Sequence, residues 1–500
     1  MIDVILPVLL AAIVSLLVKS LYRPKVPHPP GPKGLPVVGN VLDMPSVHPW
    51  ETITKWGRTW GDIVYVNLLG QPMVFLNSVK AANDLLEKKS LIYSDRPSLP
   101  MACDLVHADW MIGLHRFGDE HRAMRKLAHS FMGTRAIAER FAPFVEQETA
   151  RFLKMLLRKP DDFAGLIRRT AGAIILRVTY GYSPWESGDP LVELVDKVML
   201  HFSIMTAPKA FLVDIFPILK YIPAWFPGAR FKRLAAEYAP GFVAVAEVPM
   251  TYVKEQMSEG TAGPSFVSGF LEDGDLTPEK EDVVKCAAGS MYAGGADTTV
   301  SSVMTFFLAM TLYPDAQKKA QDEIDALIGS DRLPVLKDRD RLPYVNALVK
   351  EVYRWHPIAP LGLPHTLSQD DVHDGYFIPK GTIVVANIWG FLHDPDAYKD
   401  PAHFNPDRFM GSKPETDPVD VVFGFGRRIC PGRYLAEQSV WLSCAMTLAA
   451  FSISKAVRPD GSVIEPEVDF SSEIISHAKP FQCAISPRSK SAEAIVLGIQ

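Results

Sequence analysis

Paired cysteines are missing from this chain. Its five cysteines (Cys103, Cys286, Cys430, Cys444 and Cys483) are scattered with neither disulfide nor metal-type spacing. No Asn-x-Ser/Thr sequon occurs either. Both absences argue against a secreted body and fit a reducing, cytosol-facing one. Positive charge is not in excess: the formal net charge is −5, which gives no case for a nucleic-acid partner. Repeats, low-complexity tracts and a strand–helix Gly-x-Gly-x-x-Gly unit are lacking, so no flavin or nicotinamide site is expected within the chain. Five hundred residues would allow about three domains. Without a long linker after residue 40, one body over residues 41–500 is expected instead. What is plentiful is apolar side chain, at 48%, enough for a large core.

The first residues show how that body is held. Val4 to Val18 is apolar apart from Pro7 and Ser15, and Lys19, Arg23 and Lys25 follow. Extended to Tyr22, the run approaches the ~17 to 25 residues that cross a bilayer. Basic residues lie after it and only Asp3 before it, which places the remainder in the cytosol. A cleaved signal peptide would need the reverse charge order and a small-residue cleavage site. Residues 1–22 are therefore expected to be a single-pass anchor. Residues 23–40, with Pro24, Pro27, Pro29, Pro30, Pro32 and Pro36, are expected to form a stiff hinge.

Chemistry concentrates at Phe423-Gly424-Phe425-Gly426-Arg427-Arg428-Ile429-Cys430-Pro431-Gly432. One thiol stands at the mouth of a glycine loop that runs into a helix, with Pro431 suited to its first position. Backbone amides and the helix dipole there favour thiolate. Gly424, Gly426 and Gly432 let a flat ligand come close, and Arg428 offers a fixed cation to a carboxylate. The bland reading is a buried, inert cysteine beside a loop.

The pattern Phe423-x-x-Gly426-x-Arg428-x-Cys430-x-Gly432 resembles the haem-binding signature of the cytochrome P450 family, matched at every position. The resemblance implies a mainly α fold with a small β portion and one haem b whose iron is ligated by Cys430. It implies dioxygen as co-substrate and insertion of one oxygen atom into a C–H or C=C bond. Electrons would come from NADPH through an NADPH–cytochrome P450 reductase, with or without cytochrome b5. The implied location is the endoplasmic reticulum membrane, with the catalytic body facing the cytosol.

A second site lies in a long helix. Thr277-Pro278-Glu279 is a strong helix start and Pro314 a stop, giving a helix of about 35 residues. Its middle, Ala293-Gly294-Gly295-Ala296-Asp297-Thr298-Thr299, is poor for helix stability, since each glycine costs ~1 kcal/mol. The string resembles the family's oxygen-activation motif, which implies room beside the iron, a local break in the backbone ladder, an oxygen-facing Thr298 and a proton-relaying Asp297. Without the resemblance the glycines could simply mark a close helix crossing.

Glu351 and Arg354 lie three apart on a helix expected over Pro343–Trp355, and Arg408 follows in Phe404-Asn405-Pro406-Asp407-Arg408. The set resembles the family's buried Glu-Arg-Arg network, a structural lock. His121 and Arg125 stand where the family carries a propionate-binding helix, with His121 in place of the usual tryptophan. His365 is a third candidate for a propionate; the bland alternative for both histidines is an ordinary surface residue.

Pro97–Phe117, Ile358–Leu363 and Ile474-Ile475 are expected to line an apolar cavity by resemblance. Phe211–Phe231 is too apolar for an ordinary loop and implies a lipid-side entrance, unless it packs into the core. A lipophilic small molecule follows: a terpenoid, an aromatic polyketide or an indole. Segments such as Asp371-Val372-His373-Asp374-Gly375 are similar to fungal members that tailor secondary metabolites. A haem-thiolate isomerase or dehydratase without dioxygen, a sterol or xenobiotic oxidase, and a non-enzymatic haem sensor are the rivals.

Overall fold

Local sequence decides the small sheet. A computed structural model describes residues 26–207, 210–272 and 277–499, and these fall into two compact units. The first comprises residues up to Pro97 together with Leu361–Phe391 and Phe425–Arg428. It contains helix α1 (Pro49–Trp60) and strands β1 (Ile63–Leu68), β2 (Gln71–Leu76) and β3 (His365–Thr366). The hairpin β4 (Asp371–His373) and β5 (Tyr376–Ile378), and then β6 (Ile383–Ala386), complete it. The main sheet has the order β1-β2-β6-β3. β1 and β2 are antiparallel, with Ile63 opposite Leu76, while β2 and β6 are parallel, with Met73 opposite Ile383. The β1–β2 turn has Leu69 at φ 53° and Gly70 at φ 90°, the two positive φ values that a type I′ turn demands. Ile53 and Trp56 of α1 pack on Val64, Val66, Phe75 and Val385 of the sheet.

The described part of the proline tract is hydrogen-bonded to the first unit. The Tyr65 N–H donates to the Pro30 carbonyl at 2.9 Å, and the Phe377 N–H to the Pro27 carbonyl at 2.7 Å. His28 stacks on Tyr65 with ring centroids 4.6 Å apart. Prolines cannot donate to a ladder, but their carbonyls still accept. The tract therefore belongs to the folded unit from Pro27 onward.

The second unit comprises Ser98–Pro360, Leu392–Gly424 and the chain from Ile429. It is helical: α2 (Asp119–Met132), α3 (Ala142–Arg158), α4 (Phe163–Tyr180), α5 (Pro190–Thr206), α6 (Arg230–Ser258), α7 (Pro278–Leu312), α8 (Pro314–Leu327), α9 (Pro343–Trp355) and α10 (Arg433–Ala450). One hairpin, β7 (Phe451–Lys455) with β8 (Cys483–Pro487), joins them. α7 is the axis, packing against α2, α4, α5, α6 and α10. Its 35 residues span about 52 Å. The Thr277 hydroxyl caps it by accepting from the Lys280 N–H, and Pro314 opens α8 just beyond. Apart from its first turns α7 is buried nearly all round, as expected of a helix apolar on every face.

Among the described residues no helix is long and apolar enough to cross a membrane. The anchor expected over residues 1–22 lies outside the described residues.

Candidate active site

The cysteine loop closes on itself. The Cys430 N–H donates to the Phe423 carbonyl at 2.8 Å, and Phe423 meets Tyr353 edge-on, centroids 5.8 Å apart. Gly424 and Gly426 have φ of 79° and 55°. A Cβ on Gly426 would lie 2.2 Å from the Leu86 carbonyl oxygen, so only glycine fits there. Pro431 does not begin the helix: α10 starts at Arg433 with Gly432 as N-cap. That offset matters, because proline has no N–H to give. The Gly432 N–H instead donates to the half-buried Cys430 sulfur.

The thiolate preference read from the sequence is only partial. Burial is the largest influence on the Cys430 thiol and pushes it up, while the Gly432 amide and the cations of Arg125 and Arg433 push it down. The upward push wins. The other cysteines have weaker opposition: burial drives Cys103, Cys286 and Cys483 up to about 12. Arg125 reaches the same loop, donating to the Ile429 carbonyl at 2.6 Å. His121, one turn earlier on α2, is buried beside Phe117.

In the first unit Arg428 donates through Nε to the Ser94 carbonyl at 2.7 Å. His365 is buried, with Nδ1 2.7 Å from the Tyr93 carbonyl. A carbonyl only accepts, so Nδ1 carries the proton. Burial, reinforced by Arg96 and Arg428, pushes the ring down to about 3. His365 is thus neutral at physiological pH, and its Nε2 is an acceptor. Arg96, which sequence reading missed, is buried and donates to the carbonyls of Leu363 and Pro364 at 2.7 and 2.6 Å. Its only local signal was a charged Asp95-Arg96 pair before Pro97.

On α7 the two glycines do different work. A Cβ on Gly295 would lie 2.8 Å from Ile175 Cγ1, so Gly295 is a close helix contact with α4. A Cβ on Gly294 would meet nothing. Gly294 is exposed and Thr298 half-exposed on a helix otherwise buried. The expected break in the ladder is not there: α7 runs unbroken, and the Thr298 hydroxyl donates to the Gly294 carbonyl at 2.7 Å. Asp297 is buried, yet Arg168 Nη1 lies 3.5 Å from its Oδ1 and His477 Nε2 3.1 Å from its Oδ2. Burial raises its carboxyl, but His477 and Arg168 together outweigh that and hold it below the usual range. Neither partner was legible in the sequence.

The cytochrome P450 family model matches residues 29–484. The chain belongs to the cytochrome P450 family. It is 53% identical over 98% of its length, and 96% of the relative's, to cytochrome P450 monooxygenase 208 of Postia placenta. It is 48% identical to cytochrome P450 monooxygenase claR of Ampulloclitocybe clavipes, covering 94% of this chain and 88% of that one. With cytochrome P450 monooxygenase ple1 of Rhodocybe pseudopiperita the identity is 42%, over 94% and 91%. The P450 fold and a haem-thiolate monooxygenase activity follow, with a small-molecule substrate, dioxygen and a redox partner. The residues fit the haem: a thiol that accepts an amide hydrogen bond, and a helix face at Gly294 that a Cβ would fill without collision.

The remaining P450 signature residues meet as one cluster in the second unit. Arg354 donates to Glu351 twice, Nε to Oε2 at 2.7 Å and Nη2 to Oε1 at 2.8 Å. Arg408 Nε donates to Glu351 Oε1 at 3.2 Å, and the Asn405 N–H to the same oxygen at 2.7 Å. Arg408 also reaches Glu415 at 2.6 Å and the Lys399 carbonyl at 2.8 Å. Glu351, Arg354 and Arg408 are all buried. Four donors converge on one carboxylate and tie residues 399–415 to α9.

The segment expected to form a lipid-side entrance is not core-packed. Leu212, Phe216, Ile218, Tyr221, Trp225 and Phe226 are exposed, Trp225 to 80%. The expected first substrate loop is tied to this segment. The Met101 N–H donates to Asp214 at 2.9 Å, and Lys220 bridges to Asp104 at 2.7 Å.

Proposed function

We propose that this chain is a membrane-held P450 monooxygenase that hydroxylates or epoxidises a lipophilic, uncharged small molecule as a tailoring step in fungal secondary metabolism, a terpenoid being the first class to test. The observation that carries the reading is the accessible Gly294–Thr298 face on an otherwise buried, apolar helix. Polar function on such a helix needs a reason, and a proton-handling pair beside a reacting oxygen supplies one. Cys430 would hold haem through its sulfur, and Arg125, Arg428 and His121 would be the candidates to hold its propionates. His365, proton-bearing at Nδ1 toward the Tyr93 carbonyl, would offer only an acceptor at Nε2 while neutral. Haem-thiolate iron supplies dioxygen activation when bound. Asp297 and Thr298 hold and pass protons on this chain's side of that reaction.

Electrons reach it from NADPH through a separate reductase, with or without cytochrome b5. The anchor over residues 1–22 and the exposed apolar segment 211–231 both suit the endoplasmic reticulum membrane with the body in the cytosol. The test is expression in yeast microsomes with a reductase. The expected results are a carbon monoxide spectrum of the thiolate type, retention in carbonate-washed membranes, and an NADPH-dependent product one oxygen heavier than its terpene, polyketide or indole precursor. A product formed without NADPH or dioxygen would overturn the monooxygenase reading in favour of an isomerase or dehydratase. Release by carbonate would overturn the membrane reading.

A further inference from the structure

Monooxygenation consumes two protons for each dioxygen, since one oxygen atom leaves as water. On this chain's side the acid beside Thr298 is Asp297, which is buried. Among the described residues Asp297 has two hydrogen-bonding partners, and they are not equivalent. Arg168, on α4, is a guanidinium that does not deprotonate in proteins. It can hold Asp297 Oδ1 but cannot reload it. His477 Nε2, 3.1 Å from Oδ2, belongs to an imidazole, the one side chain in contact whose chemistry allows it both to give and to take a proton. The other charged groups here are Asp196, 3.8 Å from Arg168 Nη1, and Glu193, both on α5. Neither makes a hydrogen bond to Asp297.

His477 is also held in place. Its N–H donates to the Ser471 hydroxyl at 3.1 Å, and the Ser471 N–H donates to its carbonyl at 2.8 Å. The neighbouring Ser476 N–H donates to the Ile358 carbonyl at 2.7 Å, and the Ser476 carbonyl accepts from Ser301 Oγ at 2.6 Å. Ser301 lies one turn after Asp297 on the same face of α7. The segment carrying His477 is therefore fastened to the helix it serves. The ring is about 20% exposed, so it has a route to solvent, while buried Nδ1 has no protein partner.

We infer that His477 is the residue that reloads Asp297 with protons. The imidazolium gives its Nε2 proton to Asp297 Oδ2 and becomes a neutral ring protonated at Nδ1. Asp297 passes the proton toward Thr298 and returns to carboxylate, and the ring, turning Nε2 away from Oδ2, takes a new proton at that nitrogen from solvent. One proton moves inward per cycle, and no electron moves. His477 acts through Asp297 and is a positioning and proton-supplying residue for the P450 reaction. The inference rests on the Asp297–Thr298 reading above.

The test uses the full-length, haem-loaded enzyme with its reductase in membranes. His477→Gln keeps a donor toward Asp297 but cannot titrate. The fraction of NADPH recovered as oxygenated product, against hydrogen peroxide, is expected to fall about tenfold or more, with an increased solvent deuterium effect. Asp297→Asn and Thr298→Ala serve as references. The second readout is histidine-selective NMR, with the His477 signal identified by its loss in His477→Asn. The His477 signal should show a ring that takes up a proton as pH falls, and it should respond to Asp297→Asn. Unchanged coupling in His477→Gln, beside uncoupled Asp297→Asn, would overturn the role of His477 alone. Wild-type coupling in both reference variants would overturn the Asp297–Thr298 reading itself. If His477→Gln does not load haem, NMR decides: a ring that stays neutral throughout, or ignores Asp297, overturns the inference.

Discussion

Replacing Glu351 by glutamine changes one oxygen to an amide and almost no volume, yet the structure makes it a severe change. Glu351 accepts from Arg354 Nε and Nη2, from Arg408 Nε and from the Asn405 N–H. Glutamine would present N–H groups to at least one of these donors and take away the carboxylate that faces the buried Arg354 guanidinium. Only Arg408 retains another carboxylate, Glu415. Breaking a buried pair from one side costs about 3–5 kcal/mol. In a protein of this size that lowers the melting midpoint by roughly 3–5 °C. Removing both partners, as in Glu351→Leu with Arg354→Met, eliminates the uncompensated charge. It should therefore cost less than the sum of the singles by a few kcal/mol. The assay is a double-mutant cycle from thermal scans at one heating rate, with hydrogen exchange over residues 399–415 as the local probe. Strict additivity, or a Glu351→Gln loss below about 1 kcal/mol, would refute the claim that this carboxylate is the hub.

Two further outcomes follow from single contacts. Gly295→Ala should lower the melting midpoint despite the better helix propensity of alanine, because its Cβ would lie 2.8 Å from Ile175 Cγ1 and 3.0 Å from Cδ1, and adding Ile175→Val, which removes Cδ1, should recover part of the loss. Burial raises the Asp214 carboxyl to about 6, against the opposing hydrogen bond from Met101. The native state therefore binds more protons than the unfolded one between about pH 4 and 6, and Asp214 costs stability as pH rises through that window. Asp214→Asn, which keeps an acceptor for Met101, should be stabilising at pH 7.5 and nearly neutral at pH 4; a pH-independent effect in denaturation scans would contradict this.

Much of the fold was legible because its signals are local. Thr277, Pro278 and Pro314 bracket α7, and Pro343 opens α9, since caps and prolines act within a turn. Glu351 with Arg354 could be read from helical spacing, whereas Arg408, 57 residues from Glu351, came only through family resemblance. His477 and Arg168 lie 180 and 129 residues from Asp297. A pairing made by the fold has no spacing to betray it. The carbonyls of Pro27 and Pro30 that dock the proline tract leave no mark in the sequence. Gly294 and Gly295 read alike, and only the neighbouring helix distinguishes them.

A hydroxyl has one hydrogen to give, and Thr298 gives it to the Gly294 carbonyl. Toward everything else it offers lone pairs alone. Thr298 therefore welcomes donors: a water or a protonated oxygen can lean on it, while an aprotic acceptor of similar size finds nothing there to hold. The preference is set one helical turn away, by an ordinary backbone carbonyl, and lasts as long as that bond. Valine at this position would keep the shape of the helix face and abolish the preference, turning a seat for water into a dry wall.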